Sequence, residues 1–410
     1  MRLTMHGFQT FVVFASAVAL SGFASAQPPA TKAPATKTPA ANKAPKTEQP
    51  PPTVPPATVP AAAPAEANAK GPAAAEYQRL MEEWKTVLKD LRKLKLQYQS
   101  TALADQAKVQ QEWTSLVDKG NETVAALEAA GVKAYAEAPN EDPQLTRFLV
   151  KLADDAIGRD DYAAAKRITD VLIEYQCPDK QIYDSAAIAA FVLNDYDQAE
   201  KYFKLAKDAG VLSSYGKELE PSLPEYKDLW AKEKAIRDAE AKADDLPRVK
   251  LTTTKGTIVL ELFENESPET VGNFVSLVEG GKYDNLTFHR VLKNFMAQGG
   301  DPKGDGSGGP GYHIYCECYK PEYRRHFQGS LSMAHAGRDT GGSQFFLTFK
   351  QTPHLNGKHT CFGRVIEGMD VLSKLKRRDP QAASPTAPDS IVKAEVIRKR
   401  DHVYQPHKVE

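Results

Sequence analysis

Tyr283-Asp284-Asn285-Leu286-Thr287-Phe288-His289-Arg290-Val291-Leu292-Lys293-Asn294-Phe295-Met296-Ala297-Gln298-Gly299-Gly300 carries most of the information in this chain. It reads as a strand, a short turn at Lys293-Asn294, a second strand and a glycine stop. Arg290 stands in an otherwise apolar strand, among Phe288, Val291 and Leu292. A guanidinium cannot be buried unpaired, so it must line a cleft or meet a carboxylate. Met296 and Gln298 share a strand face by the period of two, which sets an amide beside an apolar wall. Phe295, next to Met296, should point the other way; both reach one pocket only where the strand twists or its rim curls. His289 is expected to be a satisfied structural histidine.

The surroundings are β-rich. Asp244-Asp245-Leu246-Pro247 marks a boundary, after which Val249-x-Leu251, Lys255-Gly256 and residues 257–262 read as a two-stranded hairpin with a tight turn. Glycines multiply between Gly299 and Gly311, as in loops that need positive φ or close backbone approach. Two further blocks follow. Leu331-Ser332-Met333-Ala334-His335-Ala336-Gly337 runs into Gly342-Ser343-Gln344-Phe345-Phe346, and Leu355-Asn356-Gly357-Lys358-His359 precedes Phe362-Gly363.

Phe-His-Arg with Phe-Met-x-Gln-Gly-Gly, followed in order by these two blocks, resembles the cyclophilin signature over about residues 248–399. The resemblance implies a closed eight-stranded antiparallel barrel capped by two helices. It also implies peptidyl-prolyl cis–trans isomerase activity with no cofactor and no metal. Carried over residue by residue, it makes Arg290 and Gln298 catalytic. Phe295, Met296, Phe346, Leu355 and His359 would line a proline pocket, while Gln298 and Gln344, with the backbone at Ala334 and His335, would hold the peptide main chain. Two positions depart from the best-known members. His335 replaces an asparagine whose backbone does the binding, and His354 stands where tight cyclosporin binders carry a tryptophan.

The residue types suit such chemistry without the name. Rotation about a peptide bond meets a barrier of about 18–20 kcal/mol because the C–N bond is partly double. No bond breaks during rotation, so neither a nucleophile nor a general base is required. A fixed cation beside an apolar wall is what the twisted amide needs. Eight of the nine histidines lie at or after His289, but their spacing matches no ligand motif such as H-E-x-x-H. Cys316-x-Cys318 spans about 6.5–7 Å in a strand, the outer limit for a disulfide, so free structural thiols are expected.

Toward the N-terminus the pattern changes. Residues 74–245 read as an all-α region. Tyr77, Leu80, Trp84, Val87, Leu91, Leu94 and Tyr98 form a seam of about three heptads, which favours a helical hairpin over a long coiled coil. Asp161-Tyr162-x-x-Ala165 returns as Asp195-Tyr196-x-x-Ala199, a shift of 34 residues that resembles the tetratricopeptide repeat, near 145–210. Ala187, Ala190, Phe203 and Ala206 fit its packing pattern, whereas Thr169 and Leu172 in the first copy depart from it. The default role of this half is to bind peptides or a partner.

Residues 27–73 hold 13 of the 28 prolines and no aromatic residue, so they read as a disordered Ala/Pro-rich tether. The first 26 residues read as a general secretory signal: Arg2, an apolar run over 11–20, and a small-x-small site at Ala24-Ser25-Ala26. Export to the periplasm or cell exterior follows, with no spanning segment after cleavage and a tail at 400–410. The 53 basic and 53 acidic side chains balance, which argues against nucleic acid as a partner. The expected partners are proline-containing unfolded or extended polypeptides, with a client or a dedicated partner on the helical half. Two functions fit: a folding isomerase, or a scaffold or chaperone that binds proline peptides without catalysis.

Overall fold

The computed structural model describes residues 71–102, 105–382 and 387–409. The export signal at 1–26 lies outside the described residues, as does the tether up to Lys70. Helix α1 (Pro72–Ser100) begins inside the expected tether, because Pro72 takes the first helical turn, where its missing N–H loses no bond. Its seam is buried at Tyr77, Leu80, Trp84, Val87, Leu88 and Leu91. The seam packs on α2 (Gln106–Glu137), and the two form the expected hairpin.

Helices α3 (Pro143–Gly158), α4 (Tyr162–Glu174), α5 (Ile182–Val192) and α6 (Tyr196–Asp208) follow as packed neighbours. The repeated aspartates open helices. Asp161 accepts from the Ala164 N–H and Asp195 from the Gln198 N–H, each satisfying a donor that the first turn leaves free. Ala165 and Ala199 are fully buried, where a larger side chain would hold adjacent helices apart. Thr169 is also buried; its hydroxyl donates to the Ala165 carbonyl, which lets it occupy a packing position. Helices α7 (Ser214–Leu219) and α8 (Leu223–Ala243) complete this half.

From Arg248 the chain is mostly strand. The strands are β1 (Arg248–Thr253), β2 (Gly256–Leu262), β3 (Arg290–Leu292), β4 (Met296–Gly299), β5 (Ser330–Met333), β6 (Phe345–Thr348), β7 (Cys361–Glu367) and β8 (Ile391–Arg398). All pairings are antiparallel, in the order β3-β4-β6-β5-β7-β2-β1-β8. Helices α9 (Pro268–Glu279) and α10 (Met369–Lys374) account for the two expected caps. Val249, Leu251, Ile258, Leu260, Phe274 and Phe362 are among the fully buried side chains of the core.

The eight strands do not form the expected closed barrel. The sheet is an open half-barrel with β3 and β8 at its edges. Asn285, at φ 62, turns the chain ahead of β3. Among the described residues, an isolated bridge between Thr287 and Ser390, flanked by bonds from the Phe288 N–H to the Asp389 carbonyl and from the Ile391 N–H to the Leu286 carbonyl, links the segment before β3 to β8. The tail beyond 399 folds back: Tyr404 enters the core and its hydroxyl donates to Glu264.

The two halves share a buried interface. Phe327, fully buried, packs edge-on against Tyr226 and Trp230 of α8. Arg324 donates to both oxygens of Glu233, at 2.8 and 3.1 Å, and pairs with Glu240. The second oxygen of Glu240 accepts from Arg364 at 2.9 Å, and Arg364 in turn reaches Glu261 at 2.6 Å. Each charge is paired, the condition under which ions are tolerated away from water.

Candidate active site

The pairing register builds the site. Arg290 on β3 lies opposite Gln298 on β4, Gln298 opposite Phe346 on β6, and Phe346 opposite Ser332 on β5. Residues in one cross-strand row share a face of the sheet, so a cation, an amide and an aromatic ring are set side by side. Met296 stands two residues from Gln298 and therefore joins that face.

A cavity of about 800 Å³ opens over this row. Arg290, Gln298, Phe295, Met296, Ala334, His335, Gln344, Phe346, Leu355 and His359 all line it, so every site residue picked from the sequence reaches one space. Phe295 gets there because it belongs to the turn between β3 and β4 and escapes strand alternation. Its ring lies 5.7 Å from the Arg290 guanidinium carbon and 5.4 Å from the His354 ring. Asn294, at φ 57, supplies the left-handed residue that makes the turn tight.

Arg290 has no carboxylate partner among the described residues; the cavity is its outlet. The Gln298 amide donates to the Gln344 side-chain oxygen at 2.9 Å. Gln344 donates onward to the carbonyls of Gly306 and Gly308, at 3.0 and 2.8 Å. These bonds fix both amides before any peptide enters. The glycine loop is itself shaped by Asp301, which accepts from the N–H groups of Lys303, Asp305 and Gly306. Burial pulls the Asp301 carboxyl upward, but backbone donors at Lys303, Gly306 and Gly308 outweigh it and hold the group below its ordinary value.

The apolar wall has histidines around it. His359 stands edge-on to Phe346 at 5.6 Å, and its ring stacks on His335 at 4.1 Å. Its Nδ1 lies 2.9 Å from the Met333 carbonyl, which points Nε2 away from that bond. Burial lowers its pKa, so the neutral ring is favoured beside the apolar wall. His326 lies parallel to Phe346 at 6.0 Å and is fully buried. Burial pushes its pKa down to about 4. His289 is buried as well, but its Nδ1 has no hydrogen-bond partner among the described residues, contrary to the expectation that it is satisfied.

Three contributors escaped the sequence reading. Asp301 looked like an ordinary loop acid. His326 lies outside the three blocks. The tail beyond 399 reaches the cavity rim, where the Val409 N–H donates to the carbonyl of cavity-lining His313. All four cysteines are free thiols, including Cys316 and Cys318. Burial pushes the Cys316 thiol up to about 11.

Known proteins resemble the same part of the chain. Residues 248–396 match the family profile described as cyclophilin type peptidyl-prolyl cis-trans isomerase/CLD. A Helicobacter pylori peptidyl-prolyl cis-trans isomerase is 51% identical over 150 residues, 35% of this chain and 91% of its own length. Peptidyl-prolyl cis-trans isomerase B of Bacillus subtilis is 51% identical over 122 residues, 30% of this chain and 85% of its own. A solved cyclophilin-type isomerase of Cryptosporidium parvum, studied with the dipeptide Ala-Pro, is 36% identical and covers 36% of this chain and 98% of its own, with a TM-score of 0.33. With the matching strands, cavity and blocks all in its C-terminal half, the chain belongs to the cyclophilin-type peptidyl-prolyl cis-trans isomerases.

Proposed function

We propose that this chain is an exported folding catalyst in which Arg290 drives rotation about X-Pro bonds and the helical half gathers substrate. The observation that carries the catalytic reading is the unpaired Arg290 in one row with Gln298 and Phe346, at the mouth of an apolar cavity.

The chemistry follows from the amide. As the bond twists, resonance is lost and a lone pair localises on the prolyl nitrogen. A donor fixed at that nitrogen is stronger in the transition state than in the ground state, which is the condition for raising kcat. Arg290 stays charged, and its fork can also reach a carbonyl. Met296, Phe346, Leu355 and His359 would seat the proline ring, with Phe295 at the rim. Gln298 and Gln344, already anchored, would hold the peptide main chain with the backbone at Ala334 and His335. Excluding water from this wall strengthens the Arg290 contact.

Export rests on the composition of residues 1–26, and substrate gathering on the tetratricopeptide-like helical pairs. A helical region that holds clients would raise the local concentration of X-Pro segments at the cavity. A proline-isomerisation assay of the chain from residue 27, beside its Arg290→Ala variant, tests the catalytic part. One charge-assisted hydrogen bond of about 1.5–3 kcal/mol predicts a roughly 10- to 150-fold loss in the variant. Equal, uncatalysed rates for both proteins would instead leave a proline-peptide scaffold. Cross-linking to cell-envelope extracts, with and without residues 74–245, separates client capture from a dedicated partner.

A further inference from the structure

The strand that bears Arg290 is poorly supported by its own domain. β3 is three residues long and lies at a sheet edge. Among the described residues its outer side meets an isolated bridge, in which Val291 and Arg378 exchange backbone bonds of 2.8 Å, with the Arg378 guanidinium also donating to the His289 carbonyl at 3.1 Å. Short edge hairpins with few neighbours open at low free energy. Yet Arg290, Phe295, Met296 and Gln298 all hang from this hairpin, and misplacing a catalytic group by 1 Å costs up to about a hundredfold in rate.

The missing support comes from the helical half. Asp160, in the turn between α3 and α4, is buried against the hairpin. One of its oxygens accepts from the Asn294 N–H at 2.9 Å, at the tip of the β3–β4 turn. The other accepts from the Arg377 guanidinium at 2.6 Å. Arg377 precedes Arg378, the residue bridged to β3, and its guanidinium lies 4.4 Å from the Phe349 ring centroid. Phe349 in turn donates its N–H to the Phe295 carbonyl at 2.9 Å. One carboxylate thus holds the turn and, through Arg377, the segment that flanks β3.

The second repeat copies the device. Asn194, 34 residues after Asp160, has φ 66 against φ 62 for Asp160. Tyr162 donates to Asp160, and Tyr196 donates to Asn194 in the same way. Asn194 accepts from the Gln351 amide at 2.9 Å, and the Phe191 and Val192 carbonyls lie 3.0 and 3.2 Å from the same amide. Gln351 stands just before the short helical turn Pro353–Leu355, whose last residue lines the same cavity as Phe295. The two repeat turns therefore hold two segments that carry cavity-lining residues, the Phe295 turn and the residues before Leu355.

We propose that Asp160, with Asn194 as its counterpart, is a positioning residue for the isomerase site: the helical half is a structural wall of the catalytic pocket. This rests on the catalytic reading given above, and its test has a readout that does not depend on activity. In the chain from residue 27, hydrogen–deuterium exchange is followed over residues 290–299 and over β2 and β7, for wild type, Asp160→Ala, Asp160→Asn and Asn194→Ala. Asp160→Ala should speed exchange of the hairpin at least tenfold while β2 and β7 stay protected. It should also lower kcat/KM about tenfold, mostly through kcat. Asp160→Asn, isosteric and still offering Asn294 an oxygen, should fall between the two in both measurements. Asn194→Ala should loosen residues 349–356 more than the hairpin. Should Asp160→Ala not fold, the Asp160→Asn comparison decides alone. Hairpin exchange equal to wild type, with activity within twofold, overturns the proposal. An inactive wild type would refute the catalytic reading, and the exchange comparison would still decide this one.

Discussion

His326 shows how one buried side chain couples the pocket to pH. Its Nδ1 lies 2.9 Å from the Asn356 side-chain oxygen and its Nε2 2.9 Å from the Ser332 hydroxyl, beneath the ring of Phe346. Burial dominates its shift to about 4; the nearby His359 and His354 lower it further, and the Asn356 bond opposes it. Between about pH 6.5 and 4 the unfolded chain therefore binds a proton that the folded chain does not. Stability must rise with pH through that window and level off above it. The drop from pH 7.5 to 4.5 should be about 2–3 kcal/mol from this residue. Urea unfolding of wild type and His326→Asn at the two pH values checks it. The variant, although weaker overall, should lose that much less on acidification; equal losses would reassign the pH dependence elsewhere. The single-residue roles at the site were legible because Arg290 in an apolar strand is an anomaly that only a cleft or a partner resolves. His326, a lone histidine outside the quoted blocks, gave no such signal.

At the scale of elements, β4 and its glycine stop decide the geometry of the cavity floor. Gly300 adopts φ 80, and a Cβ there would lie 2.4 Å from the Ser343 carbonyl oxygen. The left-handed conformation and the clash act together, so Gly300→Ala should destabilise the chain by at least about 2 kcal/mol. An unchanged urea midpoint would contradict this. The hairpin itself was legible from alternation and turn chemistry, down to Lys293-Asn294. The failure of β3 and β8 to close the barrel was not. The segment that meets β8 is 286–288 rather than β3 itself, and that leaves no periodic trace. Helix α8 left no signal of its own in the sequence for a similar reason. Its inward stripe, Tyr226-Trp230-Glu233-Arg237-Glu240, starts aromatic and turns charged, so periodicity of apolar residues breaks halfway along it.

Across the whole molecule, that charged half of the stripe locks the two regions together. Glu240 accepts from both Arg324 and Arg364, and removing it leaves two guanidiniums short of a partner in a buried interface. Glu240→Ala should cost about 3–5 kcal/mol. A wild type that unfolds in one step should, in the variant, give two separated transitions by tryptophan fluorescence and far-UV dichroism. A single unshifted transition would show that the interface does not couple the halves. Acid acts in the same direction but later. Burial pulls Glu233 upward, while Arg324 and Arg237 outweigh it and hold the carboxyl below its usual value. Its contribution is therefore present above the ordinary carboxylate range and lost only as pH falls through the lower folded value.

Local patterns in the chain were enough to determine the β hairpins, the helical seam and the ten residues that meet at the cavity. Each of these follows from alternation or a short motif, whose partners lie a few residues apart or in one ordered family block. The tertiary structure alone decided that the sheet stays open, that the tail returns to the rim, and that Asp160 and Gln351 join the halves at the pocket. The Asp160–Asn294 and Gln351–Phe191 contacts pair residues 134 and 160 positions apart, each of them unremarkable in its own segment. Only packing brings such residues together, because burial selects partners by space and charge rather than by order along the chain.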